Sequence, residues 1–192
     1  RTDVTRHWLE CDGVDDNMFL PVGLLNGASG LSAFAAARFD LIAARERVLF
    51  RYSVAGSEGS TRFQLEAGRE RDRYNVAARR RDSDRFVPLQ TNSTYSVGQD
   101  VVLSGLVDLE NTTARIRVNG ANDGMNTSYL SPGPVDNVDS AAARIGASSS
   151  GTTQFLTGRL YGLLILPRYA SNEEGDTERY LAKLPGITLE GA

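Results

Sequence analysis

The chain has one cysteine, one histidine and one tryptophan among 192 residues, and each scarcity removes a class of chemistry. A lone Cys11 cannot form an internal disulfide. A lone His7 excludes a multi-histidine zinc centre, and no nucleophile-elbow pattern surrounds it to suggest a Ser-His-acid or Cys-His site. Long apolar runs are also missing: the longest, Leu160 to Pro167, is far too short to cross a bilayer. The N-terminal residues show no basic-then-apolar leader pattern, so membrane insertion is not expected. Nor is positive charge in excess. A net charge of -3 and a pI near 5.3 argue against a nucleic-acid partner.

What is present is an ordinary globular balance, 41% hydrophobic and 23% charged residues, which excludes wholesale disorder. Apolar residues recur with period two through most of the chain, as strands require. Such runs are Leu9–Cys11, Met18–Leu20, Leu31–Phe39, Val48–Val54, Arg62–Ala67, Tyr74–Ala78, Phe86–Leu89, Asp100–Leu109, Ala114–Val118, Ala143–Ala147 and Leu160–Leu166. Leu31–Phe39 is rich in alanine and would also suit a helix, but Gly30 before it and the aromatics within it favour a strand. Asn119-Gly120 marks a type I′ turn, because both residues tolerate positive φ. Short strands at regular spacing with turn residues between them indicate one all-β sandwich domain over 1–192. Residues 121–140, rich in Gly, Pro, Asn, Asp and Ser, read as a long loop that could carry function. Only the C-terminal region changes period. Ser171-Asn-Glu-Glu174 has the form of a capping box, predicting a short helix that buries Tyr180, Leu181 and Leu184 and ends at Pro185-Gly186. The basic stretch Arg69–Arg85 is interleaved with Glu70, Asp72, Asp82 and Asp84. It reads as a solvated, cross-strand-paired surface.

Three stretches resemble the laminin-G/pentraxin-like branch of the concanavalin A-like lectin and glucanase superfamily. Leu9-Glu-Cys-Asp-Gly-Val-Asp-Asp16 resembles its L-x-F-D-G-x-D-D opening, with Cys11 in place of Phe. Tyr95 to Asp108, then Ala114-Arg-Ile-Arg-Val-Asn-Gly120, is similar to its central strand pair. Arg144-Ile-Gly146, Phe155 to Ile165 and the short helix with Tyr180-Leu181 follow in the family's order. The resemblance implies a two-sheet antiparallel jelly roll with one short C-terminal helix. It also implies a surface for glycan or protein ligands, often with a calcium ion, as in bacterial surface and phage virion proteins.

Candidate sites follow. Asp12, Asp15 and Asp16 could hold calcium, since clustered carboxylates suit a hard cation; the alternative is turn hydrogen bonding. Asp108, Asn122, Asp123, Asn126, Asp136, Asn137 and Asp139 supply further oxygen ligands. Such strand-end and loop acids hold the rim calcium of laminin-G-like modules. We assign Asp108, Asn122, Asp123, Asn126 and Tyr129 to ligand binding, Tyr129 as a stacking ring, and Asp136 and Asp139 with the first loop to metal. Trp8 reads as a partly buried strand residue. The superfamily also contains glycoside hydrolases, whose Glu-x-Asp-x-Glu array places its carboxylates on one face of a strand. Glu174-Gly-Asp-Thr-Glu178 matches the letters, but on a helix residues two apart diverge, and its acids read as partners of the helix dipole.

The expectation is a non-catalytic carbohydrate-binding or adhesion module on an extracellular or virion surface. The alternative is a structural or assembly domain with neighbouring subunits and no glycan, and a glycoside hydrolase is disfavoured. A far-ultraviolet circular dichroism spectrum should be dominated by β signal; a mainly helical one would overturn this reading.

Overall fold

The computed structural model describes residues 7–21, 23–41, 46–54, 58–68, 72–138 and 141–189. The period-two segments form β1 (Leu9–Asp12), β2 (Met18–Leu20), β3 (Gly30–Phe39), β4 (Arg47–Val54), β5 (Thr61–Ala67) and β6 (Tyr74–Ala78). They continue as β7 (Val87–Gln90), β8 (Asp100–Asp108), β9 (Thr113–Val118), β10 (Ala121–Asn126), β11 (Ala141–Ile145) and β12 (Thr157–Leu166), followed by helix α1 (Glu174–Lys183). The strands make two six-stranded sheets, β1-β12-β3-β8-β9-β10 and β2-β11-β4-β5-β6-β7. Every pairing is antiparallel. Side chains alternate between faces, so Phe39, Phe50, Tyr52, Phe63, Leu65, Leu103 and Ile116 meet in one core between the sheets. The expected two-sheet jelly-roll sandwich with a C-terminal helix is what forms. Among the described residues, no helix is long and apolar enough to cross a membrane.

The alanine-rich run is strand β3, paired with β12 and β8 at the middle of the first sheet. Ala33, Ala35 and Ala37 face the core, while Phe34 and Ala36 face a second apolar cluster built with Val102, Leu106 and the helix residues Leu181 and Ala182. A strand buried on both faces needs apolar residues throughout, which accounts for the composition. Close packing also sets position 105 in β8. A Cβ on Gly105 would lie 2.7 Å from Val76 Cγ2 and 3.0 Å from Leu65 Cδ1 of the facing sheet. At the β9–β10 turn, Asn119 and Gly120 have φ of 51° and 87°, as the type I′ signature requires.

Helix α1 departs from its expected details. Its N-cap is Glu173, with no side-chain cap bond. Glu174 is drawn instead across the sheet to Arg115 and Arg117 of β9, and Glu173 pairs with Arg168, so no carboxylate closes a capping box. Nor are the helix acids simple dipole partners. Glu174 and Glu178, one turn apart, lie on the same face. The Ser104 hydroxyl donates to Glu178 Oε1 at 2.7 Å, and Arg117 Nε and Nη2 donate to its two oxygens at 3.0 and 3.1 Å. The buried stripe is Glu174, Glu178, Leu181 and Ala182. Tyr180 falls outside it and is 65% exposed, contrary to expectation.

The basic stretch is also more buried than its composition suggests. Arg79 and Arg80 are nearly inaccessible. Arg80 makes a two-pronged pair with Asp84 and donates to Pro132 O at 2.5 Å; Arg79 Nε donates to Thr61 O at 2.8 Å. The two long sides of the sandwich differ. Beside β7 and β10, Asn92 N donates to Asp123 O at 2.7 Å. On the opposite side, β1 and β2 expose Trp8, Leu9, Met18 and Phe19. Trp8, expected to be partly buried, lies under the Arg159 guanidinium at 4.5 Å.

Removing one partner of a buried ion pair strands the other charge. Glu178→Ala should therefore lower the unfolding free energy by about 3 kcal/mol, read by urea denaturation. A loss of about 0.5 kcal/mol, as for an exposed pair, would mean that the helix is held by its apolar contacts alone.

Candidate functional site

In the second sheet the core takes Phe50 and Tyr52 from β4, Phe63 and Leu65 from β5, and Tyr74 and Val76 from β6. Alternation therefore turns Arg51, Gln64, Glu66 and Asn75 to the outer face, with Arg51 opposite Gln64 and Glu66 opposite Asn75. An outer face is normally solvated, yet these four are between 0 and 3% exposed. Two of them, Arg51 and Gln64, lie on the floor of a recess. A cavity of about 250 Å³ opens there, lined by Arg51, Thr61 and Gln64 from the strands, with Glu46, Gly59, Phe86 and Gln154 around it.

The chemistry of the floor is amide and guanidinium rather than carboxylate alone. Arg51 Nη1 donates to Gln154 Oε1 at 2.6 Å, and Arg51 Nη2 meets Glu66 Oε2 at 3.2 Å. Gln154 Nε2 in turn donates to Glu46 Oε2 at 2.8 Å. Gln154 thus bridges a cation and an anion, and it does so from a strained backbone: its φ is 56°. A non-glycine residue held in the left-handed region costs on the order of 1–3 kcal/mol. The loop before it supplies the restraint, through Ser148 N to Thr153 O at 3.0 Å and Leu156 N to Gly146 O at 2.8 Å. The Gln64 Nε2 and both amide atoms of Asn75 are buried and have no hydrogen-bond partner among the described residues. Each such group costs roughly 1–3 kcal/mol relative to a satisfied one. At the rim, the Arg79 guanidinium lies 5.9 Å from the Phe86 ring. Burial lowers the Arg79 pKa, against the pull of Asp82.

The residues assigned from sequence are elsewhere and are not brought together. Residues 121–126 are strand β10, not loop; Asn122 is exposed on it. The long-loop reading fails for 121–126, because Asn-Gly closes a hairpin whose second strand is polar, while 127–138 carry neither helix nor strand. Asp123 Oδ1 accepts from Ser93 N and Oγ at 3.1 Å each, tying β10 to the segment after β7. Asn126 Oδ1 accepts from Ser128 N at 2.8 Å. Tyr129 is buried, its hydroxyl donating to Val87 O at 2.5 Å and accepting from Ala78 N at 2.8 Å, so it offers no ring for stacking. Burial pushes its pKa upward. Asp108 closes the β8–β9 turn by accepting from Glu110 N and Asn111 N at 3.0 and 2.9 Å. Asp136 is exposed, and Asp139 lies outside the described residues.

In the first loop, Asp16 Oδ2 accepts from Asp12 N at 2.9 Å, Asp12 Oδ1 accepts from Val14 N at 2.7 Å, and Asp15 O accepts from Asn17 Nδ2 at 2.9 Å. These are turn bonds. Among the described residues, no three His, Cys, Asp or Glu side chains converge. The recess escaped sequence reading because its key contact joins residues 103 positions apart. The only local signal was the polar residue at alternate positions of β4 and β5.

Cys11 reports on the first loop. Its thiol is pushed up to about 11 by burial and then by Asp16, Glu10 and Asp12. The thiolate is scarcer than in free cysteine, and higher intrinsic nucleophilicity offsets only part of the loss. Iodoacetamide at pH 8 should react about tenfold more slowly than with free cysteine, with no change on adding millimolar calcium. Acceleration by calcium would show a cation held beside the thiol.

No protein-family model matches the chain, and no curated protein matches its sequence. Solved structures do match. A heptameric SAP-like pentraxin from Limulus polyphemus is 10% identical with a TM-score of 0.68, the match covering 96% of this chain and 84% of that one. The CBM40 of a Ruminococcus gnavus IT-sialidase is 11% identical with a TM-score of 0.66, covering 88% and 95%, respectively. Laminin α1 domains LG4-5 from mouse are 10% identical with a TM-score of 0.63, covering 88% and 45%. Likeness at this identity is likeness of fold: the chain has a two-sheet jelly-roll fold like theirs.

Proposed function

We propose that this chain is a non-catalytic carbohydrate-binding module that takes its sugar in the recess on the outer face of the second sheet. The observation that carries the reading is the buried polar floor, in which a strained Gln154 positions Arg51 and Glu46 while the Gln64 amide is left unpartnered. Buried polar groups without partners are rare in folded proteins and point to a missing ligand or water. The fold neighbours support the class, since the Ruminococcus gnavus CBM40 is also solved bound to α2,3 sialyllactose.

The same face argues against hydrolysis. A retaining mechanism needs two carboxyl groups about 5 Å apart, and an inverting one needs room for water between them. Strand β5 presents Gln64 and Glu66 outward, so the alternation that would align a carboxylate array carries an amide in one place. Of the two carboxylates near the recess, Glu66 is engaged by Arg51 and Glu46 accepts from Gln154 Nε2. An extracellular or virion surface, where glycans are met, is the setting we infer. The exposed Trp8, Leu9, Met18 and Phe19 beside β1 and β2 favour, as a second reading, a structural role against a neighbouring subunit.

A glycan array probed with the full chain separates the two. Binding is expected, and Gln154→Ala should weaken it at least about tenfold through loss of a charge-assisted hydrogen bond. Asp123→Asn, in β10 of the other sheet, should leave it unaltered. A blank array with the fold intact would overturn the proposal in favour of assembly.

A further inference from the structure

The charges at the recess specify more than its location. Among the described residues, the charged side chains lining it are Glu46 and Arg51. Arg51 is engaged twice, by Gln154 and by the fully buried Glu66. Glu46 accepts from Gln154. A ligand carboxylate drawn to Arg51 would lie beside Glu66, a second buried anion on the same guanidinium, and a ligand cation drawn to Glu46 would lie one Gln154 side chain away from the Arg51 cation. The floor also offers the neutral Gln64 amide, 1% exposed, whose Nε2 has no partner among the described residues. A neutral N–H pair is satisfied by a neutral acceptor, a hydroxyl or ether oxygen, at no charge-desolvation cost. Phe86 adds the apolar wall against which the C–H face of a ring can lie. The volume, about 250 Å³, is below the roughly 300–1,000 Å³ of drug-sized sites and suits one ring rather than a chain threaded through.

We infer that the recess selects a single uncharged pyranose and rejects sugars carrying a carboxylate. This rests on the recess being the sugar site. It gives the chain a ligand class different from the sialyllactose named for its fold neighbour.

Matched sugars test it. Methyl glucoside against methyl glucuronide, and methyl galactoside against methyl galacturonide, differ only in the carboxylate. Methyl mannoside, methyl N-acetylglucosaminide and methyl sialoside complete the panel. Binding to the full chain is measured by titration calorimetry and ligand-observed magnetic resonance. The expected result is binding of at least one neutral glycoside, at least tenfold tighter than any acidic one. Gln64→Ala should weaken it about tenfold, as loss of a buried hydrogen bond does. Phe86→Ala, in a half-buried segment where folding is less at risk, should weaken it comparably. Acidic glycosides that bind as tightly or more tightly, and lose binding in Gln64→Ala, would overturn the selectivity and leave the recess as the site. Failure of all seven glycosides to bind, or binding indifferent to Gln64, Phe86 and Gln154, would overturn the recess itself and the inference with it.

Discussion

Strand β3 must be covered on both faces, and the rest of the molecule is arranged around that demand. Its inward alanines let the two sheets approach closely, and its outward Phe34 and Ala36 need a lid. Helix α1 is that lid, fixed by Leu181 and Ala182 against the apolar patch and by Glu174 and Glu178 against Arg115 and Arg117. The covering is one-sided. Among the described residues no α-helix lies over the second sheet, and its outer face carries polar side chains.

Both faces bury charge, in different ways. Beneath the helix, Arg117 and Ser104 satisfy Glu178 from two strands, a closed arrangement in which carboxylate and guanidinium answer each other. In the recess the charges are also paired, but neutral amides are placed between and beside them, and the Gln64 Nε2 has no partner among the described residues. Pairing removes the long-range field that would draw any ion of opposite sign. The unfilled amides give short-range, directional demand. A strained Gln154 is consistent with that division, because strain persists where surrounding structure over-determines a useful geometry.

The strands were legible because alternation is a local property. Each β run read from sequence appears within three residues of its bounds, and Asn119-Gly120 announced its turn through backbone sterics alone. The helix was legible in position but not in its contacts: whether Glu174 caps its own helix or reaches Arg115 depends on a strand some 59 residues away. The same limit hid the site. Polar composition made residues 121–140 look like a functional loop, yet hairpin pairing consumes the first part and a buried Tyr129 anchors the next. Arg51, Gln64 and Gln154 are unremarkable letters in separate segments. Only burial of an outer face distinguishes them, and burial is a property of the folded whole.

Gly105 carries a consequence that reaches across the sandwich. It leaves no room for a methyl group because Leu65 and Val76 are already there, and Leu65 lies between Gln64 and Glu66 in the strand that floors the recess. Its other neighbour along the chain, Ser104, holds the helix through Glu178. Helix, first sheet, second sheet and recess are thus stacked in contact at one point, with no compliant layer among them. A side chain added at position 105, in the first sheet, would press on Leu65 and so on the strand of the second sheet that carries Gln64.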